Sequence, residues 1–305
     1  MLQKVSGTNF KILQLTDLHI GGTWCTRRAD NIVSAHARTL VKRAKPDLIV
    51  ITGDALYPMP LRPGTLNNAR SGKILCGLLE EFKVPWTLAL GNHDCERAKL
   101  NKDEFAAMLT SYPHCVFEKG ADVSGTGNCM LPVFNRDGSI NTALILLDSH
   151  GKAPGFNVYR YEEIKPDQIE WYANTVKELA EKEGRIVPSL LFFHIPLEEF
   201  SMAWDARQEH IHHFGLKRNR IKSAAVKCNL FDKVLELGST KGIFTGHDHG
   251  NDFSITYKGV RLTSGMSLEH NVYFPRLMTK NKPRGGTLIS IGDEGQFEVC
   301  QIPLK

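Results

Sequence analysis

Five apolar runs in this chain stop at the same kind of residue, and that recurrence constrains the fold more than any other feature. Phe10 to Thr16 runs into Asp17-x-His19, and Leu48 to Thr52 into Gly53-Asp54. Trp86 to Leu90 runs into Gly91-Asn92-His93-Asp94, Ser189 to Phe193 into His194, and Gly242 to Thr245 into Gly246-His247-x-His249. Short, nearly continuous apolar runs of this kind read as strands buried on both faces. Each then ends in a carboxylate, carboxamide or imidazole, the groups that ligate metal ions or move protons. Gly91-Asn92-His93-Asp94 by itself is an ordinary polar turn. Its recurrence in kind at four other strand ends turns it into chemistry.

The stretches between the runs decide how the strands are joined. Arg27 to Lys45 carries Ile32, Val33, Ala35, Leu40, Val41 and Ala44 at helical spacing, closed by Pro46. A second helix is expected near Leu66 to Phe82, after a Pro-rich loop from Tyr57 to Gly64, and a third over Glu96 to Thr110. Strand and helix in alternation imply parallel strands with right-handed crossovers, whose carboxyl ends open on one edge. Ile140 to Leu147 reads as a further strand, ending in Asp148-Ser149-His150, and Pro166 to Glu183 as an amphipathic helix with proline in its first turn. Ala225 to Leu237 reads as a helix, and alternating segments from Phe253 to Ile302 as closing β-structure. Residues 196–223 show no clear periodicity and are expected to cover the site. With no internal repeat or evident linker, 1–305 is expected to be a single α/β domain.

Composition narrows the setting. No long apolar segment suggests a secretory signal or a membrane span, and the seven cysteines are scattered without a C-x-x-C pair. A cytoplasmic protein without a disulfide framework is the expectation. The net charge of +5 is mild, favouring anionic ligands without establishing nucleic-acid binding.

Setting His93 and Asp94 aside, the five blocks offer seven ligands: Asp17, His19, Asp54, Asn92, His194, His247 and His249. That is too many for one tetrahedral zinc site and too rich in oxygen for a structural one. Two ions sharing a carboxylate use all seven, and mixed nitrogen and oxygen donors suit Mn, Fe, Zn or Co. Such a pair, roughly 3.5–4 Å apart, clamps a phosphoryl group and activates water for in-line displacement. Phosphate-ester hydrolysis is the reaction served best.

These blocks, all present and in order from about Phe10 to Thr263, resemble the calcineurin-like metallophosphoesterase superfamily. The resemblance implies a two-sheet β-sandwich flanked by helices, with a dinuclear centre of divalent or mixed-valence ions at the carboxyl ends of strands. It implies one ion on Asp17, His19, Asp54 and His249 and another on Asp54, Asn92, His194 and His247, with Asp54 as the bridge. It also implies that His93 assists the leaving oxygen, oriented by Asp94. Asp248 then faces away or supports the ligands, and Asn251 and Asp252 brace the turn that carries them. Gln168-x-x-Trp171, His194-Ile195-Pro196-Leu197 and the run from Gly246 to Phe253 resemble the purple-acid-phosphatase-like branch. Gly53-Asp54-Ala55-Leu56-Tyr57 does as well, but true purple enzymes lack a ligand histidine in the first block, where this chain has His19. Tyr57 is therefore expected beside the site without binding metal.

The expected function is a phosphatase acting on phosphomonoesters, with a phosphoprotein or small molecule as substrate. The alternatives are a phosphodiesterase of nuclease or cyclic-nucleotide type and a non-catalytic scaffold of the same fold. His150 could touch substrate or be an accessory loop residue. His210, His212 and His213 fit a solvated lid better than a third metal site. Glu198 and Glu199 are candidates for shaping the cavity, and Arg27, Arg28, Arg62 and Arg70 for phosphate contact. The basic run from Lys217 to Lys222 is weak support for a nucleic-acid partner. No membrane partner is expected, and oligomeric state is not legible.

Overall fold

The computed structural model describes residues 1–4, 8–57, 67–96, 98–153, 160–270 and 283–304. In chain order its strands are β1 (Leu2–Gln3), β2 (Phe10–Leu15), β3 (Leu48–Thr52), β4 (Trp86–Ala89), β5 (Cys129–Phe134), β6 (Ile140–Leu146) and β7 (Ser189–Phe192). They continue with β8 (Ile211–Phe214), β9 (Thr240–Thr245), β10 (Ser254–Tyr257), β11 (Val260–Ser264), β12 (Gly285–Ile291) and β13 (Phe297–Pro303). The α-helices are α1 (Arg27–Ala44), α2 (Asn68–Glu80), α3 (Lys102–Leu109), α4 (Pro166–Glu183), α5 (Glu198–Asp205) and α6 (Leu230–Leu237).

The strands form two sheets, ordered β13-β12-β2-β3-β4 and β1-β5-β6-β7-β9-β11-β10-β8. β2, β3 and β4 pair in parallel in the first sheet, and β6, β7, β9 and β11 in the second. This is the two-sheet sandwich flanked by helices that the sequence led us to expect.

Side-chain alternation explains why the strands read as nearly continuous apolar runs. In β2 and β3, Ile12, Leu48 and Val50 point between the sheets, where they meet Leu144, Leu190, Phe192, Phe244 and Ile289. Leu13, Leu15, Ile49 and Ile51 point the other way, against Val33 and Leu40 of α1, Leu75 and Leu79 of α2, and Phe105 of α3. β7 alternates likewise, with Leu191 and, just past its end, Phe193 packing outward against Tyr172 and Val176 of α4 and Phe231 of α6. Both faces of each central strand are covered, so the runs are nearly all apolar, and the polar residues in their cores, Gln14 of β2 and Thr87 of β4, are themselves buried. Burying each of these larger side chains contributes about 1.5–3 kcal/mol.

Several boundaries moved for identifiable reasons. α1 stops where Lys45 turns left-handed (φ 46), just before Pro46, and α4 where Gly184 does (φ 65). α3 starts at Lys102 rather than Glu96, on a capping box in which Asn101 and Glu104 bond each other's backbone. The residues before it turn to hold the site. Segment 196–223 is not aperiodic: it holds α5, a 3-10 turn (Arg207–Glu209) and β8, an edge strand paired with β10. Periodicity missed these elements because each spans only one or two turns or four residues. Among the described residues no helix is long and apolar enough to cross a membrane, and all seven cysteines are free thiols.

Candidate metal centre

The loops after β2 and β3 run side by side. The amide of Asp17 donates to the carbonyl of Gly53 (3.1 Å), that of His19 to Asp54 (3.0 Å) and that of Ile20 to Ala55 (2.8 Å). The second sheet joins them where the Gly246 amide donates to the His194 carbonyl (3.0 Å) and the His247 amide to Asp17 Oδ2 (3.1 Å). Asp17, His19, Asp54 and His247 all hold positive φ, at 52°, 53°, 48° and 73°. A left-handed backbone at a non-glycine residue costs on the order of 1–3 kcal/mol and persists where surrounding structure over-determines it. Two glycines of the motifs have separate causes. Gly53 itself lies at φ 79°, whereas Gly91 is required because a Cβ there would overlap the backbone nitrogen of Asp54.

The side chains converge in two overlapping groups. Asp17, His19, Asp54 and His249 bring one ligand atom each within 4.8 Å of one another, as do Asp54, His194 and His247. Asp54 belongs to both. Its Oδ2 lies 3.2 Å from His194 Nε2 and 3.9 Å from His19 Nε2, while Asp17 Oδ1 lies 3.0 Å from His249 Nε2. The His194 ring is oriented by its other nitrogen: Nδ1 donates to the Thr52 carbonyl (2.8 Å), so Nε2 is the one that faces the cluster.

Whether these residues fit metal ions can be judged from what they lack otherwise. Asn92 is 7% exposed, yet neither its oxygen nor its nitrogen has a hydrogen-bond partner among the described residues, and the same holds for His247 Nε2. Leaving a buried polar group unmade costs about 1–3 kcal/mol, so such a set is retained where something else completes it. The imidazoles also face one another, with His19 Nε2 at 3.1 Å from His249 Nε2 and His247 Nδ1 at 3.2 Å from His194 Nε2. The crowding splits their proton affinities. Burial and the His249 charge push His19 down to about 3, whereas at His194 burial is outweighed by Asp54 and the pKa rises to about 10. For Asp17, burial is overcome mainly by His249, and the pKa falls to about 2. Burial likewise opposes the ionised form of Asp54, but the charges of His194 and His93 hold it well below the carboxylate range. Two buried carboxylates thus draw positive charge into a pocket of imidazoles, and divalent cations would supply that charge in place of protons. The donor set fits a pair of cations.

His93 stands beside this cluster. Its amide donates to Asp54 Oδ1 (2.8 Å), its Nε2 lies 3.9 Å from Asp54 Oδ2, and its Nδ1 is 2.7 Å from Glu96 Oε2. The carboxylate on the ring is therefore Glu96, not Asp94 as expected. Asp94 is fully buried, and its oxygens accept from the amides of Gly91 (2.7 Å) and Leu56 (2.9 Å), tying two loops together. A side chain one residue from His93 points to the opposite side of the turn, whereas one three residues on returns to the same side. That i+3 spacing was the missed signal. The Tyr57 ring is buried against His19 and His93, with centroids 5.2 and 5.3 Å away.

The weaker candidates fall in different places. Asn251 Oδ1 accepts from the amides of Arg218 (2.9 Å) and Asn219 (2.8 Å), and Asp252 Oδ1 from Leu216 N (2.8 Å) and the Arg218 guanidinium (2.7 Å). Asp248 accepts from the Lys222 amide (3.2 Å), and burial raises its pKa to about 7. The basic run is thus a strap bound to the ligand-bearing turn. His210, His212 and His213 separate onto the Tyr257 ring, the Gly215 carbonyl and the Thr256 hydroxyl, and form no metal-capable group among the described residues. Glu198 is exposed, and Glu199 is buried against Lys227 (2.9 Å). Arg27, Arg28 and Arg70 are exposed helix positions, and Arg62 lies outside the described residues.

Comparison with known proteins agrees with this geometry. The family profile described as calcineurin-like phosphoesterase matches residues 10–251. "Probable inactive purple acid phosphatase 14" of Arabidopsis thaliana is 29% identical over 285 residues, covering 83% of this chain and 69% of the relative. "Phosphatase DCR2" of Saccharomyces cerevisiae is 28% identical over 284 residues, covering 83% of this chain and 46% of the relative. A crystal structure of a dimetal phosphatase from Danio rerio superposes with a TM-score of 0.56 at 13% identity, covering 96% of this chain and 99% of the other.

Proposed function

Because this chain belongs to the calcineurin-like phosphoesterase family, we propose that it is a dinuclear metal-dependent phosphatase that hydrolyses phosphomonoesters. The observation that carries the proposal is the sharing of Asp54 between the two convergent ligand groups. Asp17, His19, Asp54 and His249 would hold one ion, and Asp54, Asn92, His194 and His247 the other. When bound, such a pair supplies Lewis-acid charge for the phosphoryl oxygens and activates water. The protein's own part is to fix that charge and move a proton. The Thr52 carbonyl keeps the His194 ring in register, and Asp54 holds the amide of His93. His93, with Nδ1 held by Glu96, presents Nε2 toward the leaving oxygen and donates a proton to it. Tyr57 packs on the rings of His19 and His93 without serving as a ligand.

Glu96→Gln retains an acceptor 2.7 Å from the ring but loses the carboxylate charge that pairs with it. Turnover is expected to fall about tenfold, the scale of losing an orienting partner, and to fall further on alkyl than on aryl esters. Equal loss on both would remove the orienting role.

The names of the Arabidopsis relatives favour a second reading, a non-catalytic protein of the same fold. Against it, this chain has all seven ligand candidates and His93, six of the seven in convergent groups. One experiment separates the readings. Protein stripped of metal is reloaded with Mn, Fe or Zn, its ions per chain are counted, and p-nitrophenyl phosphate is compared with its bis-ester. Two ions and a monoester preference of roughly tenfold or more in kcat/KM are expected. A bis-ester preference would make the chain a phosphodiesterase, and two ions without turnover of either ester would make it a binding protein.

A further inference from the structure

On the Asn92 side of the metal-binding cluster lies a cleft of about 380 Å³, near the low end of the ~300–1,000 Å³ typical of small-molecule sites. Gly151 forms part of its wall and abuts Asn92, where a Cβ would stand 3.6 Å from the Asn92 Cβ. The cleft therefore opens next to the position of a reacting phosphoryl group.

Its polar wall is built from behind by fully buried groups. Asp148 accepts from the Lys102 ammonium (2.5 Å) and the Thr126 amide (2.9 Å) with Oδ2, and from the His150 amide (2.8 Å) with Oδ1. This holds His150 at φ 61°, a strained position outside the ligand set. The tautomer of His150 follows from the same network. Asn128 Oδ1 accepts the Asp148 amide (3.0 Å), so the Gln168 atom 2.7 Å from it is the NH2, which also donates to the Asp148 carbonyl (2.8 Å). Gln168 Oε1 is then an acceptor, taking the Lys165 amide (2.7 Å) and His150 Nε2 (2.7 Å). Nε2 carries the hydrogen, and no hydrogen bond from a described residue engages Nδ1.

The cleft's charges cancel in pairs. Lys102 is matched by Asp148, Lys152 by Glu96 at 2.8 Å, and Glu162 by Lys165 at 3.0 Å. Among the described residues no unpaired charge is left to attract a second phosphate. The Lys102 and Lys152 ammonium groups each have three donors and spend one on a carboxylate, and both lysines line the cleft together with Glu96, Glu162 and Asn101. Among the described residues the wall has no phenyl, phenol or indole ring to stack on a nucleobase or aryl group. Alternating donors and acceptors without net charge match hydroxyl groups, each of which both donates and accepts.

We propose that this cleft receives a neutral polyhydroxylated leaving group, so that the substrate is a sugar or polyol phosphate, with His150 as its specificity contact. The proposal rests on the phosphatase reading above. In the test, metal-loaded full-length protein is assayed on glucose 6-phosphate, phenyl phosphate and a phosphoserine peptide. The sugar ester is expected to lead by about tenfold in kcat/KM, the scale of one or two net hydrogen bonds. His150→Ala should lower kcat/KM on the sugar ester about tenfold more than on phenyl phosphate, chiefly through KM. It should also weaken calorimetric binding of the phosphonate analogue of glucose 6-phosphate by a similar factor. His150→Asn tolerates the left-handed backbone and places an amide near Nδ1, and should recover part of the loss. A preference for the peptide or phenyl ester, or equal losses on both esters in His150→Ala, overturns the inference and leaves the phosphatase reading intact. Phosphonate binding without hydrolysis of any ester overturns the phosphatase reading and upholds the cleft; neither binding nor hydrolysis overturns both.

Discussion

Replacing Asp54 by Asn is expected to abolish the dinuclear centre and reduce kcat/KM on a phosphomonoester by on the order of 10³-fold or more, several kcal/mol of charge stabilisation. The substitution preserves shape and, through the amide oxygen, the hydrogen bond from His93 N (2.8 Å). What it removes is the negative charge common to both ligand groups, on the oxygen 3.2 Å from His194 and 3.9 Å from His19. An amide bridges two cations poorly, and of the two carboxylates in the ligand groups only Asp17 then remains to balance an ion that enters. The metal-free protein should lose some stability, because the Asp54 charge also balances the buried His194 ring 3.2 Å away. Metal addition raises the melting temperature of a protein that binds ions only when folded. That rise should be present in the parent and absent in Asp54→Asn, which separates lost metal from lost fold. An active variant with two ions would remove the bridging role of Asp54.

Replacing His93 by Ala should act on turnover alone. A positioned proton donor contributes about 10²–10⁴-fold, so kcat should fall within that range while ions per chain stay at the parental value. The side chain is assigned to neither ligand group and is held from the opposite side by Glu96, so its removal leaves the ligand carboxylates and rings in place. The loss should deepen as the leaving group becomes more basic, because an alkoxide needs the proton more than a nitrophenolate does. Rates across a series of alkyl and aryl phosphates measure this directly. Loss of metal along with activity, or a loss independent of leaving group, would mean that His93 supports the centre rather than the departing oxygen.

Local pattern made some elements readable and hid others. Ile12, Leu13, Leu48 and Ile49 announce strands because both faces of β2 and β3 are covered, leaving most positions apolar. Pro166 and Gly184 mark the ends of α4 through their own backbone preferences. Where tertiary hydrogen bonds compete with local preference, the reading fails. Glu96 to Thr110 has helical composition, but Asp54, Asp94 and Glu96 hold residues 91–96 in a turn, and α3 begins only at its own cap, Asn101. α5 and β8 went unread because neither is long enough to establish a period.

For the candidate site, the sequence by itself determined which residue types stand at the strand ends, and in what order. A run that is buried throughout can turn polar only where it leaves the core, so Asp17, Asp54, Asn92, His194 and His247 were marked by position as well as by chemistry. Only the tertiary structure decided that the first three leave one sheet and the last two the other, and that the two sets of ends meet over Asp54. It also decided that Glu96 rather than Asp94 faces His93, and that His150 is held by Gln168 of α4 and by Asp148, which Asn128 fixes in turn. The reason is physical: the two-residue period reports burial on both sides of a strand but not what covers it. Strand partners, turn directions and side-chain neighbours are set by contacts between residues tens to hundreds of positions apart, such as His247 with Asp17.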